Sequence, residues 1–297
     1  MNPIRCILAA TDLSAPARIA VERAAHLAHE HRASLTLMHV MAAGALRELR
    51  AWLGGENDAP ARLEADAVAT IGRLATEIRD AHPVTVDTVC RTGDVSAELR
   101  REAEARSADL LVLGAQGEGA WRHLMPGTTA ERTLRHTTRP LLVVRQSPRE
   151  HYRRVLVACD FSPWTQHALR LAASVAPQAH LLLFHAWEVP FGGKLRYAGV
   201  DAATIDHYRG TSRADASRGV CAAAEAAGLS PDAWDPLIVE GGASQRLVEQ
   251  QQKCAADLVV MGKHGQSATV DQLFGSVTHR VLAESAVDVL VSTRRTE

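Results

Sequence analysis

Aromatic residues are scarce in this chain, only 4% of its 297 residues. So few rings offer little surface for stacking unpaired bases, which argues against a single-stranded nucleic-acid binder. An excess of charge is missing too: the net charge is −1 at pH 7 and the pI is near 6.9. No global basic field draws the chain to DNA, RNA or an anionic membrane. Long apolar runs are absent, none approaching the ~18 residues of a membrane span. Met1 to Arg5 leads straight into an apolar stretch and lacks the layout of a secretory leader. Cysteine is sparse: Cys6, Cys90, Cys159, Cys221 and Cys254 are odd in number, widely spaced and without a Cys-x-x-Cys pair. Structural disulfides and a zinc site are therefore not expected, and Cys159 reads as a core thiol. A reducing cytoplasm is the expected compartment, with neither nucleic acid nor membrane as partner.

Three sequence patterns of nucleotide and acyl chemistry are also lacking. There is no Gly-x4-Gly-Lys-(Ser/Thr) for a P-loop kinase or ATPase. A dinucleotide dehydrogenase needs Gly-x-Gly-x-x-Gly after its first strand, where this chain has Thr11-Asp12 and Cys159-Asp160. No Gly-x-Ser-x-Gly elbow is present. Catalytic residues are not assigned on this reading.

What the chain does have is an ordinary globular composition, 46% hydrophobic and 23% charged, at a length that suggests two domains. Its organising feature is Gly262-Lys263-His264-Gly265, with Gly275-Ser276 nine residues later. An apolar run ending at Met261 precedes it and reads as a buried strand. A helical pattern follows, with Ser276 as its expected N-cap. Strand, glycine loop and helix N-terminus together present bare backbone N–H groups around one concave spot, which favours an anion, most simply a phosphate.

The same design occurs 148 positions earlier, as Gly114-Ala115-Gln116-Gly117 and Gly127-Thr128 after the run Asp109 to Leu113. Three glycines at fixed spacing arise by chance at roughly one start position in 3,000. One match is a modest coincidence; a second at the offset set by the flanking strands is not. Ile7 to Ser14 likewise matches Val155 to Ser162, and Leu35 to Val40 matches Leu181 to Ala186.

Read in order, the chain alternates strands and helices. The first half has strands near 6–10, 35–40, 84–89, 109–113 and 140–144, and helices near 16–31, within 41–81, at 95–106 and at 128–136. The second half repeats them, with Trp187 to Leu229 as its most divergent segment. Such alternation means βαβ units and a parallel sheet. The expected fold is α/β: two repeated doubly wound, Rossmann-like domains, each with a five-stranded parallel sheet, at 1–146 and 153–297 with a linker at 147–152. Ligands of such sheets bind outside the carboxyl ends of the strands, where the winding reverses. Asp12 and Asp160 follow the first strands, and the glycine loops follow the fourth. If those strands are neighbours, an acidic group that accepts from a base amine meets a phosphate cradle. His39 and His185 recur at matched strand ends and read as packing or hydrogen-bonded histidines.

These motifs resemble the universal stress proteins, in tandem form. Nucleotide-binding members share Gly-x2-Gly-x9-Gly-(Ser/Thr), and both halves carry it in full. The resemblance spans nearly the whole chain. It implies that Asp12 and Asp160 contact adenine and that Val40 and Ala186 line the adenine pocket through backbone. It implies that Gly114, Gly117, Gly127 and Thr128 hold ribose and phosphates in the first half. Gly262, Gly265, Gly275 and Ser276 do so in the second, where Met261, His264 and Val277 join the candidate site; Thr129 stands opposite Val277. The implied cofactor is ATP, with or without Mg²⁺. The last strand of each sheet would pair with a partner domain, giving an internal pseudo-dimer and leaving a homodimer open. The implied role is a cytoplasmic stress regulator or sensor; a slow ATP hydrolase and a nucleotide-independent scaffold are the alternatives. Lys263 and His264 face neutral Ala115 and Gln116, with Glu118 following, and Thr128 and Glu131 form a capping box. The second half is thus expected to bind ATP more tightly.

Overall fold

The computed structural model describes residues 3–53, 58–115, 128–148, 150–189, 198–265 and 275–294. It forms two units. One contains the described residues up to His151 together with Asp288–Thr293; the other contains Tyr152–Val287 and Arg294.

In the first unit the strands are β1 (Cys6–Ala10), β2 (Ser34–Ala42), β3 (Val86–Gly93), β4 (Leu110–Gly114) and β5 (Leu141–Val144). All five are parallel, in the order β3-β2-β1-β4-β5, with Ile7 level with both Leu35 and Leu110. Strands β1 and β4 are apolar along their length because helices cover both faces of a parallel sheet, leaving no solvent side. The winding reverses between β1 and β4, which puts a crevice beyond their carboxyl ends. The chain's last strand, β10 (Asp288–Ser292), pairs antiparallel with β5, Leu290 opposite Leu142.

Helix α1 (Ala15–His31) starts where Ser14 accepts a bond from the Ala17 N–H, with Pro16 in the first turn, and ends at left-handed Arg32. Its small apolar face, from Ala17 through Ala28, lies flat on the sheet. The segment 41–81 holds two helices rather than the one expected, α2 (Ala43–Leu53) and α3 (Ala59–Ala81). Helix α2 buries only Leu46, so its apolar pattern was too thin to read. Helices α4 (Val95–Ala105) and α5 (Thr128–His136) fall where the sequence puts them, α4 capped by the Asp94 carboxylate on the Ala97 N–H. The expected strand at 84–89 is shifted to Val86–Gly93, following its partner β2 to Ala42.

The second unit repeats this order with β6 (Arg154–Ala158), β7 (His180–Trp187), β8 (Trp234–Glu240) and β9 (Leu258–Gly262), parallel as β8-β7-β6-β9. Its helices are α6 (Pro163–Val175), α7 (Ala202–Ala227), α8 (Ala243–Lys253) and α9 (Ser276–Glu284). Each unit also ties its first strand to its fourth at the amino ends. Asp109 accepts from the N–H groups of Arg5 and Cys6, and Asp257 from those of Arg153 and Arg154. No helix among the described residues is long and apolar enough to cross a membrane.

Candidate functional site

In the second unit β6 and β9 run side by side, Val157 level with Val260, so the segments leaving them emerge together. Cys159-Asp160 leaves one and Gly262-Lys263-His264-Gly265 leaves the other. A cavity of about 320 Å³ lies between them. All nine sequence-selected residues of this half line it: Asp160, Ala186, Met261, Gly262, His264, Gly265, Gly275, Ser276 and Val277.

The aspartate is held by the start of the next helix. Its Oδ1 accepts from the Ser162 N–H at 3.0 Å and from the Thr165 hydroxyl at 2.8 Å, and its own N–H donates to that hydroxyl at 3.1 Å. Its Oδ2 turns toward the glycine loop: a Cβ on Gly265 would sit 2.7 Å from it. A Cβ on Gly262 would meet Cβ of Trp164 at 2.7 Å. Glycine is required at both positions because the loop approaches the helix start too closely for a side chain.

Between Asp160 and Ser162 stands Phe161, left-handed at φ 62°; Leu13 holds the matching place at φ 65°. Such a backbone costs about 1–2 kcal/mol per non-glycine residue and persists only where its surroundings enforce it. Phe161 stacks on His185, ring centroids 4.3 Å apart. His185 Nδ1 bonds the Cys159 carbonyl at 2.7 Å, and His39 Nδ1 bonds the Thr11 carbonyl at 2.9 Å. The recurring histidines therefore lock the end of the second strand to the end of the first.

The helix end differs from expectation. Gly275, not Ser276, is the N-cap, extended at φ −67° and ψ 151° with no side-chain cap bond; Ser276 is the first helical residue. The Gly275 N–H donates to the Lys263 carbonyl, and the Thr278 hydroxyl donates to the Gly262 carbonyl at 3.0 Å. Loop and helix are thus stapled through the loop's carbonyls, and the N-cap supplies no side-chain bond to the first N–H groups of α9. Those groups, with the helix dipole, favour an anion.

Two basic side chains sit in this loop. Burial pushes the Lys263 ammonium below its ordinary pKa. Burial, and then the neighbouring Lys263 charge, push His264 down. The His264 ring tilts against Trp164, centroids 4.9 Å apart, and its Nδ1 is buried with no hydrogen-bond partner among the described residues. A buried nitrogen left unpaired beside a glycine cradle is what a hydrogen-bonding ligand would satisfy. Burial and the adjacent Asp160 charge push the Cys159 thiol well above its usual range, which keeps it protonated and inert.

The first unit has the corresponding cavity, about 170 Å³, lined by Asp12, Val40 and Gly114 among others. Asp12 Oδ1 accepts from both the N–H and the hydroxyl of Ser14. Gly117 and Gly127 lie outside the described residues, as do Gln116, Glu118 and the Thr128 side chain of the expected capping box. Positions the sequence reading missed are Trp164, Thr165 and Thr278. They lie beyond the glycine spacing, and their first-half counterparts Pro16, Ala17 and Ala130 share no chemistry with them, so the repeat gave no signal. Among the described residues no cluster of three or more His, Cys, Asp or Glu could hold a metal.

Comparison with known proteins agrees with this architecture. The model of the universal stress protein family matches residues 3–145 and again 151–293. A universal stress protein of Mycolicibacterium smegmatis is 28% identical over 308 aligned residues, covering 96% of both chains. Universal stress protein Rv2005c of Mycobacterium tuberculosis is 27% identical over 198 residues, 63% of each chain. Among solved structures, a universal stress protein from Archaeoglobus fulgidus superposes with a TM-score of 0.66 at 18% identity, covering 97% of this chain and 98% of its own. A putative one from Pseudomonas aeruginosa gives 0.62 at 19%, covering 97% and 92%. Two family matches, one per half, over repeated α/β units with parallel sheets make this chain a tandem member of the universal stress protein family.

Proposed function

We propose that the protein binds adenine nucleotide, ATP in the first place, and acts as a cytoplasmic stress regulator or sensor. One observation carries this reading: Asp160, the glycine loop and the uncapped start of α9 all face a single cavity. The aspartate offers an acceptor for the purine amine. Backbone N–H groups at the helix start, with His264, offer donors for phosphates, and Lys263 in the same loop adds a positive charge nearby. Gly262, Gly265, Gly275 and Ser276 would hold ribose and phosphates, with Ala186, Met261 and Val277 as walls. Asp12, Val40, Gly114, Gly117, Gly127 and Thr128 would do the same in the first half.

The test needs no added ligand. The purified protein is denatured and its supernatant assayed for ATP, ADP and AMP, and thermal stability is followed with ATP added. Bound ATP and a thermal shift are expected. ADP that accumulates with turnover would make the protein a hydrolase. No nucleotide and no shift would make it a scaffold.

A further inference from the structure

Next to the nucleotide pocket of the first unit lies a second cavity, of about 310 Å³, that shares the walls Val95 and Thr129 with it. Arg47 on α2 and Arg132 on α5 both line it. Both are exposed, and neither guanidinium has a hydrogen-bond or ion-pair partner among the described residues. The cavity floor is the start of α4. There Asp94 satisfies the Ala97 N–H, while the N–H groups of Val95 and Ser96 have no helical acceptor. The Asp94 carboxylate is the acidic member of the lining, so two guanidinium charges leave the cavity positive by one.

The two halves differ here in a telling way. The counterpart of Arg132 is Arg280, whose Nε donates to both carboxylate oxygens of Glu284 at 3.0 and 3.1 Å. In the first half His136 replaces that glutamate, and Arg132 is left to face the cavity. The first half also contains no lysine at all, so its glycine loop has no equivalent of Lys263. Two cations of the first half, Arg47 and Arg132, are supplied from α2 and α5.

The geometry points to a second anion subsite in the first unit: Arg47 and Arg132 grip a phosphate group in this cavity, over the first turn of α4. Planar guanidinium forks match phosphate oxygens in pairs, and the helix start adds donors and dipole of the same sense. The phosphate comes either from the nucleotide in the adjoining pocket, an arm that rests on the function proposed above, or from a separate phosphorylated molecule. The expected advantage of the second half in ATP affinity then narrows, because Arg47 and Arg132 add two cations to the first half.

The full chain decides this by calorimetric titration with ATP, adenosine and inorganic phosphate, wild type against the double variant Arg47→Gln/Arg132→Gln. Both side chains are exposed and have no hydrogen-bond or ion-pair partner among the described residues, so glutamine breaks no such bond. The inference expects a loss of about tenfold or more in phosphate-dependent affinity. If the nucleotide supplies the phosphate, the variant weakens one of two ATP-binding events and leaves adenosine unchanged. If the source is separate, inorganic phosphate binds wild type alongside adenosine, and the variant loses only that binding. Should neither ATP nor adenosine bind wild type, the nucleotide reading fails while phosphate binding still decides the arginine subsite. Unchanged ATP and phosphate binding in the variant, or an equal loss of adenosine binding, overturns the inference.

Discussion

Gly265 is the residue on which the second pocket turns. A Cβ there would lie 2.7 Å from Asp160 Oδ2, so Gly265→Val must push either the loop or the carboxylate aside. Its expected effect is a loss of at least about tenfold in nucleotide affinity at that site, with the first site unchanged; two-site calorimetry would read both. His264 makes the same site sensitive to pH. Burial and Lys263 hold its imidazole below the ordinary pKa, which keeps it neutral near pH 7. An anion beside it favours the protonated form, so binding takes up a proton and affinity rises as pH falls from 8 to 6. His264→Gln should flatten that profile, and a wild-type dissociation constant independent of pH would exclude the coupling.

Among the elements, α4 is tied to two strands of the first unit by polar bonds from its own C-terminal end. Arg106, its C-cap, reaches Thr36 on β2 and Asp87 on β3, and donates to Glu102 at 2.7 Å, while Arg91 of β3 donates to the same Glu102. Burial alone would raise the Glu102 pKa, but the hydrogen bond from Arg106 and the Arg91 charge outweigh it and hold the carboxyl below its ordinary value. A depressed carboxylate pKa adds stability above the unfolded value, and that stability disappears as pH falls through the folded one. Glu102→Ala is therefore expected to cost about 1–2 kcal/mol at neutral pH and progressively less as the pH falls through the carboxylate range, measured by urea unfolding. The helix itself was legible from Thr92-Gly93-Asp94 and its apolar spacing. Its bonds to two strands were not, since nothing local marks Thr36 or Asp87 as partners. The start of α9 was read one residue late because serine is the better capping side chain; the loop instead holds Gly275 through the Lys263 carbonyl.

At the scale of the molecule, the first unit depends on residues from the far end of the chain. Asp288 on β10 is fully buried; it accepts from the N–H groups of Arg145 and Gln146 and pairs with Arg23, 3% exposed, at 3.3 Å. Removing one member of a buried pair strands the other, so Asp288→Ala should destabilise the first unit by about 3–5 kcal/mol, seen as an earlier transition in chemical unfolding. A chain cut after residue 151 would lack this strand, so binding to each unit is best measured in the full chain. The sequence alone determined the repeat, the βαβ order, the glycine loops and nine of the residues that face the second pocket, because spacing along the chain encodes helix, strand and tight turn locally. Only the tertiary structure decided that the last strand joins β5, that Arg47 meets Arg132 around one cavity, and that Thr278 clamps the loop. Those contacts bring together side chains far apart in sequence, through packing that no single stretch of residues records.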